Sequence, residues 1–353
     1  GGVHASLMPD EALNHADAIV TGMAFETWPQ LLLDFKNGTL KRHYDQSPQM
    51  NFSNLPLPRK DLLPKFSYIS KSTIQATFGC PYKCDFCAVI STQKKYLRRP
   101  VEDVIKEISE MNGNFVTFVD PSPMEDKKYI KRLLREMIPL KKMWGGLATV
   151  KIGDDEELMD LCAESGCKGL LIGFESVEQD ALVEINKGFN VVEKYRNLCA
   201  RLHERGIAIN GTFIFGMDSD TKDTFKRTVD FVQENAIELP RYAIYTPFPG
   251  TGAFRKLESQ NRILTRNWSL YDVQHVVYQP KNLTPDELFE GSIWAWENTY
   301  KYKNIKERIS NSGTSFPISL ITNMGYRYYG TRLRNFPNDT IIDLEQKWNS
   351  QIT

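Results

Sequence analysis

The sequence of 353 residues lacks the features that mark several classes of protein. Lysine plus arginine and aspartate plus glutamate both number 44, so no net charge attracts a nucleic acid. No apolar run approaches the roughly 18 residues that a membrane span requires, and no signal-peptide pattern, internal repeat or low-complexity segment occurs. We therefore expect no nucleic-acid partner and no transmembrane segment. What remains is a globular composition, 41% hydrophobic, in a chain long enough for two or three domains.

Cysteine is scarce and unevenly distributed. Six cysteines in so long a chain do not make a disulfide framework, and Cys80, Cys84 and Cys87 follow a strand-like run with the spacing C-x3-C-x2-C. Thiolates are soft ligands that suit zinc or iron–sulfur clusters. The other three cysteines lack ligand spacing and are expected in the core: Cys162, Cys167 and Cys199.

Three ligands do not close a tetrahedral structural zinc site. A [4Fe–4S] cluster held by three cysteines, in contrast, keeps one iron open for a non-protein ligand. The spacing therefore predicts a catalytic cluster in a reducing compartment, which we expect to be the cytoplasm. A partial zinc site and three unrelated core cysteines are the alternatives.

Apolar runs alternate with amphipathic stretches over residues 71–250. Strands are predicted at 73–78, 115–119, 144–150, 169–173, 207–215 and 242–245. Helices are predicted at 101–111, 127–137, 155–165, 191–205 and 221–235. Six βα units in this order predict an α/β fold with a parallel barrel, whose ligands bind at the carboxyl ends of the strands.

The flanking segments differ from this pattern. Residues 1–45 predict a loop at 1–6, a helix at 9–16, a strand at 17–22 and a helix at 27–36 that Thr27 caps. Residues 46–70 are rich in proline and predict an extended linker. Residues 251–353 are rich in aromatic side chains and predict a mostly helical extension, with helices at 285–302 and 343–348. The domain boundaries are thus predicted at 1–45, 46–70, 71–250 and 251–353.

The run from Phe78 to Cys87, with Phe86 before the last cysteine, resembles the signature of the radical S-adenosylmethionine (SAM) superfamily. The resemblance implies a partial (β/α)6 barrel with a [4Fe–4S] cluster on Cys80, Cys84 and Cys87. It also implies that SAM binds the open iron. One electron, from reduced ferredoxin or flavodoxin, would then split SAM into methionine and a 5′-deoxyadenosyl radical.

The same resemblance implies SAM contacts at the strand ends: Phe86, Asp120, Glu175, Ser176, Phe215, Gly216, Tyr245, Thr246 and Pro247. Glu175 and Ser176 belong to a Gly-Phe-Glu-Ser run that binds the polar part of SAM in the family. Asp120 begins Asp-Pro-Ser where the subgroup usually has Asp-Asp-Asn. The alternatives are a surface carboxylate for Glu175, a turn cap for Asp120, and plain core for Phe213 and Phe215.

The first 45 residues resemble the C-terminal half of cobalamin-binding domains fused to radical SAM enzymes. The similar stretches are GGVHAS, PDEAL, ADAIVTG and ETWPQLLLDFKNG. They imply half of a Rossmann-like domain, with cobalamin contacts at Gly1, Gly2, His4, Gly22 and Glu26. The D-x-H-x-x-G motif of such domains does not occur in the sequence. We therefore expect an N-terminally truncated protein that binds cobalamin weakly, or alternatively a remnant that binds none.

The order Asn267 to Asp272, His275 and Leu283 to Leu288 resembles the extension of the subgroup that includes hopanoid methylases. The resemblance implies methyl transfer from methylcobalamin to an unactivated carbon of a small-molecule or lipid-like substrate. A lipid substrate would place the enzyme peripherally at a membrane. His275 and Tyr271 are candidate catalytic residues, with core packing as their alternative.

Two other functions remain open at this stage. A radical enzyme could carry out cyclisation, rearrangement or C–C bond formation without methyl transfer. A non-enzymatic iron–sulfur or zinc-binding protein belongs to another class, and would need four protein ligands and no pocket for SAM. A methylthiotransferase is disfavoured because no second cysteine cluster precedes Cys80.

Overall fold

The computed structural model describes residues 1–47, 50, 52–53, 55–64, 71–93, 95–314 and 316–334. Its contacts divide the chain into two compact units. The first unit contains Gly1–Leu147, Glu164–Gly166 and Phe248–Arg255, and the second contains Ala148–Ala163, Cys167–Pro247 and the chain from Lys256 onward. Within the described ranges, no helix has both the length and the apolar character needed to cross a membrane.

Ten β-strands occur among the described residues. They are β1 (Ile19–Thr21), β2 (His43–Asp45), β3 (Thr73–Ile74), β4 (Thr77–Phe78), β5 (Leu97–Arg98), β6 (Phe115–Phe118), β7 (Met143–Ala148), β8 (Cys167–Glu175), β9 (Ala208–Phe215) and β10 (Arg241–Ile244).

Fourteen α-helices are found in the same part of the chain. They are α1 (Val3–Leu7), α2 (Pro9–Ala12), α3 (Thr27–Lys36), α4 (Ala88–Thr92), α5 (Val101–Glu110), α6 (Lys127–Met137), α7 (Glu156–Glu164), α8 (Gln179–Glu184), α9 (Tyr195–Glu204), α10 (Lys222–Glu234), α11 (Gly252–Ser259), α12 (Pro285–Thr299), α13 (Tyr302–Ser312) and α14 (Phe316–Gly330).

The first unit is built around parallel strand pairs. Strand β6 pairs in parallel with β3 on one side and with β7 on the other, and β1 pairs in parallel with β2. Helix α6 begins where the Asp126 carboxylate accepts a hydrogen bond from the Tyr129 N–H at 2.9 Å. Its apolar residues recur on one face and are buried, which is why this helix forms where its sequence period predicts it.

The second unit has its own run of parallel strands, with β9 between β8 and β10. Aromatic side chains fill its core: the rings of Phe174 and Phe213 stack 5.5 Å apart, and Tyr195 meets Phe174 edge-on at 4.9 Å. In the helical extension, α12 begins with a capping box, in which the side chains of Thr284 and Glu287 bind each other's backbone N–H groups. The α/β class with βα units in chain order is therefore confirmed.

Several predicted elements differ in the structure. The strand predicted at 73–78 is broken into β3 and β4, and β4 pairs antiparallel with β5 instead of continuing in the parallel array. Residues 3–7 form a helix where a loop was predicted, because Met8 N–H donates to the His4 carbonyl at 2.7 Å. Thr27 does not cap its helix, since Glu26 occupies the cap position and makes no side-chain cap bond.

The extension also departs from its prediction. The helix expected at 285–302 ends at Thr299, and a second helix begins at Tyr302. Helices α4, α8, α11 and α14 had no sequence prediction. The helix predicted at 343–348 lies outside the described residues, as do 48–49, 51, 54 and 65–70 of the predicted linker. The four domain boundaries remain a prediction.

Candidate functional site

The cysteine loop, residues 79–87, connects β4 to α4 in the first unit. Gly79 adopts φ +77°, and a Cβ there would lie 2.3 Å from the Lys95 carbonyl oxygen, so only glycine fits. Cys84 is buried, Cys80 and Cys87 are half-buried, and none of the three forms a disulfide. The Cys87 N–H donates to the Cys84 carbonyl at 3.1 Å, which folds the last turn of the loop.

The donor set of this loop suits an iron–sulfur cluster, because it offers three thiols within eight residues. Among the described residues, no group of three or more Cys, His, Asp or Glu side chains stands in the arrangement of a metal site. A single ion needs all its ligands around one point, whereas each cysteine of a [4Fe–4S] cluster binds a different iron, so the loop still carries suitable ligands. Their role as cluster ligands remains a prediction.

Asp120, which follows β6, is fully buried behind the segment that leads to this loop. One carboxylate oxygen accepts hydrogen bonds from the Ala76 N–H at 2.9 Å, the Thr77 hydroxyl at 2.8 Å and the Thr77 N–H. These bonds hold the break between β3 and β4. The alternative was that Asp120 caps the turn that follows it. Asp120 does bind backbone N–H groups of a turn, but that turn lies 43 residues or more before it in the sequence.

The second oxygen of Asp120 is buried and has no hydrogen-bond partner among the described residues. Burial raises the pKa of this carboxyl to about 6, against the lowering effect of the Thr77 and Ala76 donors. This oxygen lacks the hydrogen bond that buried polar atoms normally make. The predicted contact of Asp120 with SAM therefore remains a prediction that depends on this one atom.

Glu175 ends β8 in the second unit and is buried, with 8% of its surface exposed. Its carboxylate forms an ion pair with Lys187 at 2.5 Å and lies 3.4 Å from the Thr212 hydroxyl. A Cβ at Gly173 would lie 2.3 Å from the Glu175 carboxylate and 2.8 Å from the Lys187 ammonium, so Gly173 makes room for the pair. The alternative of a surface carboxylate is wrong.

The backbone around Glu175 is held by side chains that the sequence did not single out. Asn190 donates to the carbonyls of Gly173 and Phe174 at 3.0 and 3.2 Å, and the Tyr195 hydroxyl donates to the Phe174 carbonyl at 3.0 Å. Ser176 is buried and its hydroxyl accepts from the Glu178 N–H at 3.0 Å. Glu175 itself adopts φ +65°, a conformation that this network stabilises.

The end of β9 is shaped by Asp220, another residue that was not predicted. Its carboxylate accepts from the N–H groups of Gly216 and Met217 at 2.8 and 3.0 Å, while its other oxygen is buried without a partner among the described residues. Burial raises its pKa to about 7. The signal that could have found it is the turn-forming run that precedes Thr221, the N-cap of α10.

The other predicted residues of the second unit are buried at the ends of β9 and β10. Phe215 packs against Phe225 at 4.9 Å and Tyr242 at 5.4 Å, as its core alternative expects. A Cβ at Gly216 would lie 2.4 Å from the Tyr278 hydroxyl, so a glycine is needed there. Tyr245, Thr246 and Pro247 follow β10 in one buried run.

Tyr271 and His275 lie in the loop beside the end of β10, because the Ile244 N–H donates to the Val273 carbonyl at 2.8 Å. The Tyr271 hydroxyl donates to the Thr265 carbonyl at 2.7 Å, which favours packing over catalysis. His275 places Nδ1 3.0 Å from both carboxylate oxygens of Asp272.

The candidate cobalamin residues are only partly brought together. The Gly22 N–H donates to the Ser6 hydroxyl at 2.9 Å, so the turn after β1 meets α1, next to Gly1 and Gly2. His4 and Glu26 are exposed, and His4 pairs with Glu11 at 3.7 Å. Phe86 is half-buried in the cysteine loop. Cys162, Cys167 and Cys199 are buried core residues, as predicted.

Comparison with known proteins gives consistent results. Residues 74–232 match the family model described as Radical SAM superfamily. The chain is 32% identical to the bacteriochlorophyllide d C-12(1)-methyltransferase of Chlorobaculum tepidum over 88% of this chain and 70% of that protein. It is 28% identical to the C-8(2)-methyltransferase of the same organism, over 93% of this chain and 76% of that one.

A solved structure of the cobalamin-dependent S-adenosylmethionine radical enzyme OxsB, with aqua-cobalamin and SAM bound, shares the fold. The TM-score is 0.66 at 14% identity, over 100% of this chain and 68% of that one. The family predicted from the cysteine spacing is confirmed, and so is the prediction of an enzyme. The chain belongs to the radical SAM superfamily of enzymes.

Proposed function

We propose that this chain is a cobalamin-dependent radical SAM methyltransferase that methylates an unactivated carbon of a magnesium-bearing chlorin, a reduced tetrapyrrole. The observation that carries the proposal is a three-cysteine loop in a chain 32% identical to a bacteriochlorophyllide d methyltransferase over most of both sequences. Because the alignment covers 88% of this chain, the similarity includes the barrel and the C-terminal extension as well as the cysteine motif.

Cys80, Cys84 and Cys87 would hold three irons of the cluster and leave the fourth for SAM. When bound, the cluster and SAM supply a carbon radical by one-electron cleavage, and methylcobalamin supplies the methyl group. The protein would position the three thiols. The tight turn at Gly79 and the hydrogen bonds of Asp120 to Ala76 and Thr77 fix the segment that enters the loop.

Glu175 and Lys187 would bind the polar part of SAM. The methionine part of SAM is a zwitterion, and a buried acid beside a buried ammonium offers a complementary group to each of its charges. The pair is already assembled, so binding need not bring a single charge into the interior. Asp120 is proposed as a further SAM contact, in which its unpartnered oxygen would accept a hydrogen bond from the SAM amino group.

The first 45 residues would contribute one side of a cobalamin site through the Gly22 turn and the start of α1. Reduced ferredoxin or flavodoxin is the proposed electron donor. The chlorin replaces the lipid-like substrate that the sequence suggested, because both methyltransferases reported above act on bacteriochlorophyllide d by name.

The test uses the anaerobically reconstituted protein with cobalamin, reduced flavodoxin, methyl-labelled SAM and bacteriochlorophyllide d. We expect a product that carries the labelled methyl group, detected by mass spectrometry. An altered macrocycle without the label would favour the alternative of cyclisation or rearrangement. An unaltered macrocycle, with SAM still cleaved, would refute the chlorin as substrate.

A further inference from the structure

A cavity of about 400 Å³ lies against β3, and its lining residues all belong to the first unit. None of the residues assigned above to the cluster, SAM or cobalamin lines it. Its walls are mostly apolar and include Leu55, Leu63 and Phe78. Phe25 and Val119 also line it, and they are 44% and 49% exposed although both are large and apolar. Its volume lies within the roughly 300–1,000 Å³ of small-molecule sites.

Three charged side chains form one connected cluster in the wall of this cavity: Lys60, Arg99 and Glu107. The Glu107 carboxylate bridges the other two, with one oxygen 3.1 Å from the Lys60 ammonium and the other 2.8 Å from the Arg99 guanidinium. The side chains of Arg99 and Glu107 are each 7% exposed, and that of Lys60 is 22% exposed. Because two cations share one carboxylate, the cluster carries an excess of one positive charge.

Part of this cluster has a structural role. Lys60 donates to the Thr73 carbonyl and Arg99 Nη1 donates to the Gln75 carbonyl at 3.0 Å. Strand β3 is the last strand of its sheet, so these bonds cover carbonyls of an open edge. Covering the edge explains why long basic side chains lie here, but it leaves the excess charge unbalanced.

The cluster also has donors that the described part of the chain does not use. Both hydrogen bonds found for the Arg99 guanidinium leave from Nη1, and its Nε is buried without a partner among the described residues. The Lys60 ammonium has three hydrogens, and the described residues accept two of them, at Thr73 and Glu107. Lys60 is the most exposed of the three side chains, so it can touch a ligand directly, whereas Arg99 acts through its charge.

We infer that this cavity binds an apolar molecule that carries one carboxylate. The apolar body would lie against Phe25, Phe78 and Val119, and the carboxylate would accept a hydrogen bond from the Lys60 ammonium. One negative charge balances the excess charge of the cluster, whereas a neutral ligand would leave it uncompensated in a half-buried place. A short fatty acid and the propionate side chain of a chlorin both have this chemistry. The inference does not depend on the proposed function.

The experiment titrates the reconstituted full chain with decanoate and with decanol, which share an apolar chain and differ in charge. Calorimetry gives the two dissociation constants. We expect decanoate to bind more tightly than decanol. Lys60→Met should weaken decanoate binding about tenfold or more, the loss expected for one charge-assisted hydrogen bond, and leave decanol unchanged.

Two further variants keep the result interpretable. Lys142→Met is the matched control: Lys142 is also a half-buried lysine of the first unit that donates to backbone carbonyls, those of Met111 at 2.9 Å and Gly113 at 2.7 Å, but it does not line the cavity. It should leave both affinities unchanged. Val119→Trp fills the cavity from an exposed position without touching the charges, and should weaken both probes.

Competition identifies the source of the carboxylate. Displacement of decanoate by bacteriochlorophyllide d, but not by its methyl ester, would support the inference with the chlorin side chain as occupant. Displacement by neither would support it with a separate apolar acid as occupant. Equal binding of decanoate and decanol by the wild-type protein would overturn the inference. Unchanged decanoate binding in Lys60→Met or in Val119→Trp would overturn it as well.

Discussion

The cysteine loop of the first unit and the Glu175 turn of the second unit both end strands, yet they are built differently. The loop carries three thiols, one buried and two half-buried, and none of them is in a disulfide. The turn carries a buried ion pair whose partners are already 2.5 Å apart. The charges of the second site are thus paired by the chain itself, whereas the thiols of the first are ligands for a cluster that would have to be supplied.

The largest effect is expected from the loop. Cys84→Ala removes one of three ligands, so reconstitution should give far fewer than the roughly four irons per chain of a [4Fe–4S] cluster. Iron and sulfide analysis of the anaerobically reconstituted variant measures this. Cys199→Ala, a buried cysteine outside the loop, is the control and should keep the full count. Retention of four irons by Cys84→Ala would contradict the assignment of the loop.

Breaking the Glu175–Lys187 ion pair should lower the free energy of unfolding, because the pair exists before any ligand binds. Lys187→Met leaves the buried Glu175 carboxylate without its partner, which should lower the free energy of unfolding by about 3–5 kcal/mol. Denaturation with urea measures this change. Adding Glu175→Gln to that variant removes the unpaired charge and should recover most of the loss.

Glu175→Ala should also weaken SAM binding, since a charge-assisted hydrogen bond is worth roughly 1.5–3 kcal/mol. Titration of the reconstituted protein with SAM gives the dissociation constant. An unchanged constant would leave the pair a structural feature of the second unit.

Asp120 should make the stability of the protein depend on pH, and this tests its place behind the segment that enters the cysteine loop. Its pKa in the folded protein, about 6, lies above its ordinary value of 3.8, so the folded protein binds more protons than the unfolded chain between these pH values. This contribution to stability should therefore be full below pH about 4 and lost as the pH rises through 6, by about 3 kcal/mol in all. Asp120→Asn should flatten the profile over that range, measured by urea denaturation. An unaltered profile would show that Asp120 is not the titrating group.

Gly79→Ala should change iron uptake less than the loss of a cysteine ligand does. The positive φ alone should cost about 1–2 kcal/mol, and the added Cβ would also lie 2.3 Å from the Lys95 carbonyl oxygen, so the loop must shift and take up less iron. Gly38→Ala is the matched control, with φ +71° and no atom within 4 Å of the added Cβ. It should show the backbone cost without any change in iron. Equal iron in both variants would mean that the loop does not depend on this turn.

The sequence predicted the cysteine loop better than the surroundings of Glu175, because only the loop is a local pattern. The cysteine spacing and the helix at 127–137 are local patterns, so they could be predicted from neighbouring residues. Lys187 lies 12 positions from Glu175 along the chain, and Asp120 lies 43 positions from Thr77. Partners brought together by the fold leave no spacing in the sequence, which is why Lys187 and Asn190 were missed.

The break between β3 and β4 follows the same rule. The run at 73–78 has the composition of one strand, but the buried Asp120 carboxylate takes the N–H groups of Ala76 and Thr77 that a continuous ladder would use. A local propensity was overridden by a distant polar group.

The central claim is that this chain cleaves SAM by radical chemistry at the cysteine loop. The most direct measurement is the amount of 5′-deoxyadenosine formed from SAM by the reconstituted, reduced protein under anaerobic conditions. The account predicts that the wild-type protein forms it and that Cys84→Ala forms none. A wild-type protein that holds four irons and binds SAM, yet forms no 5′-deoxyadenosine, would contradict it.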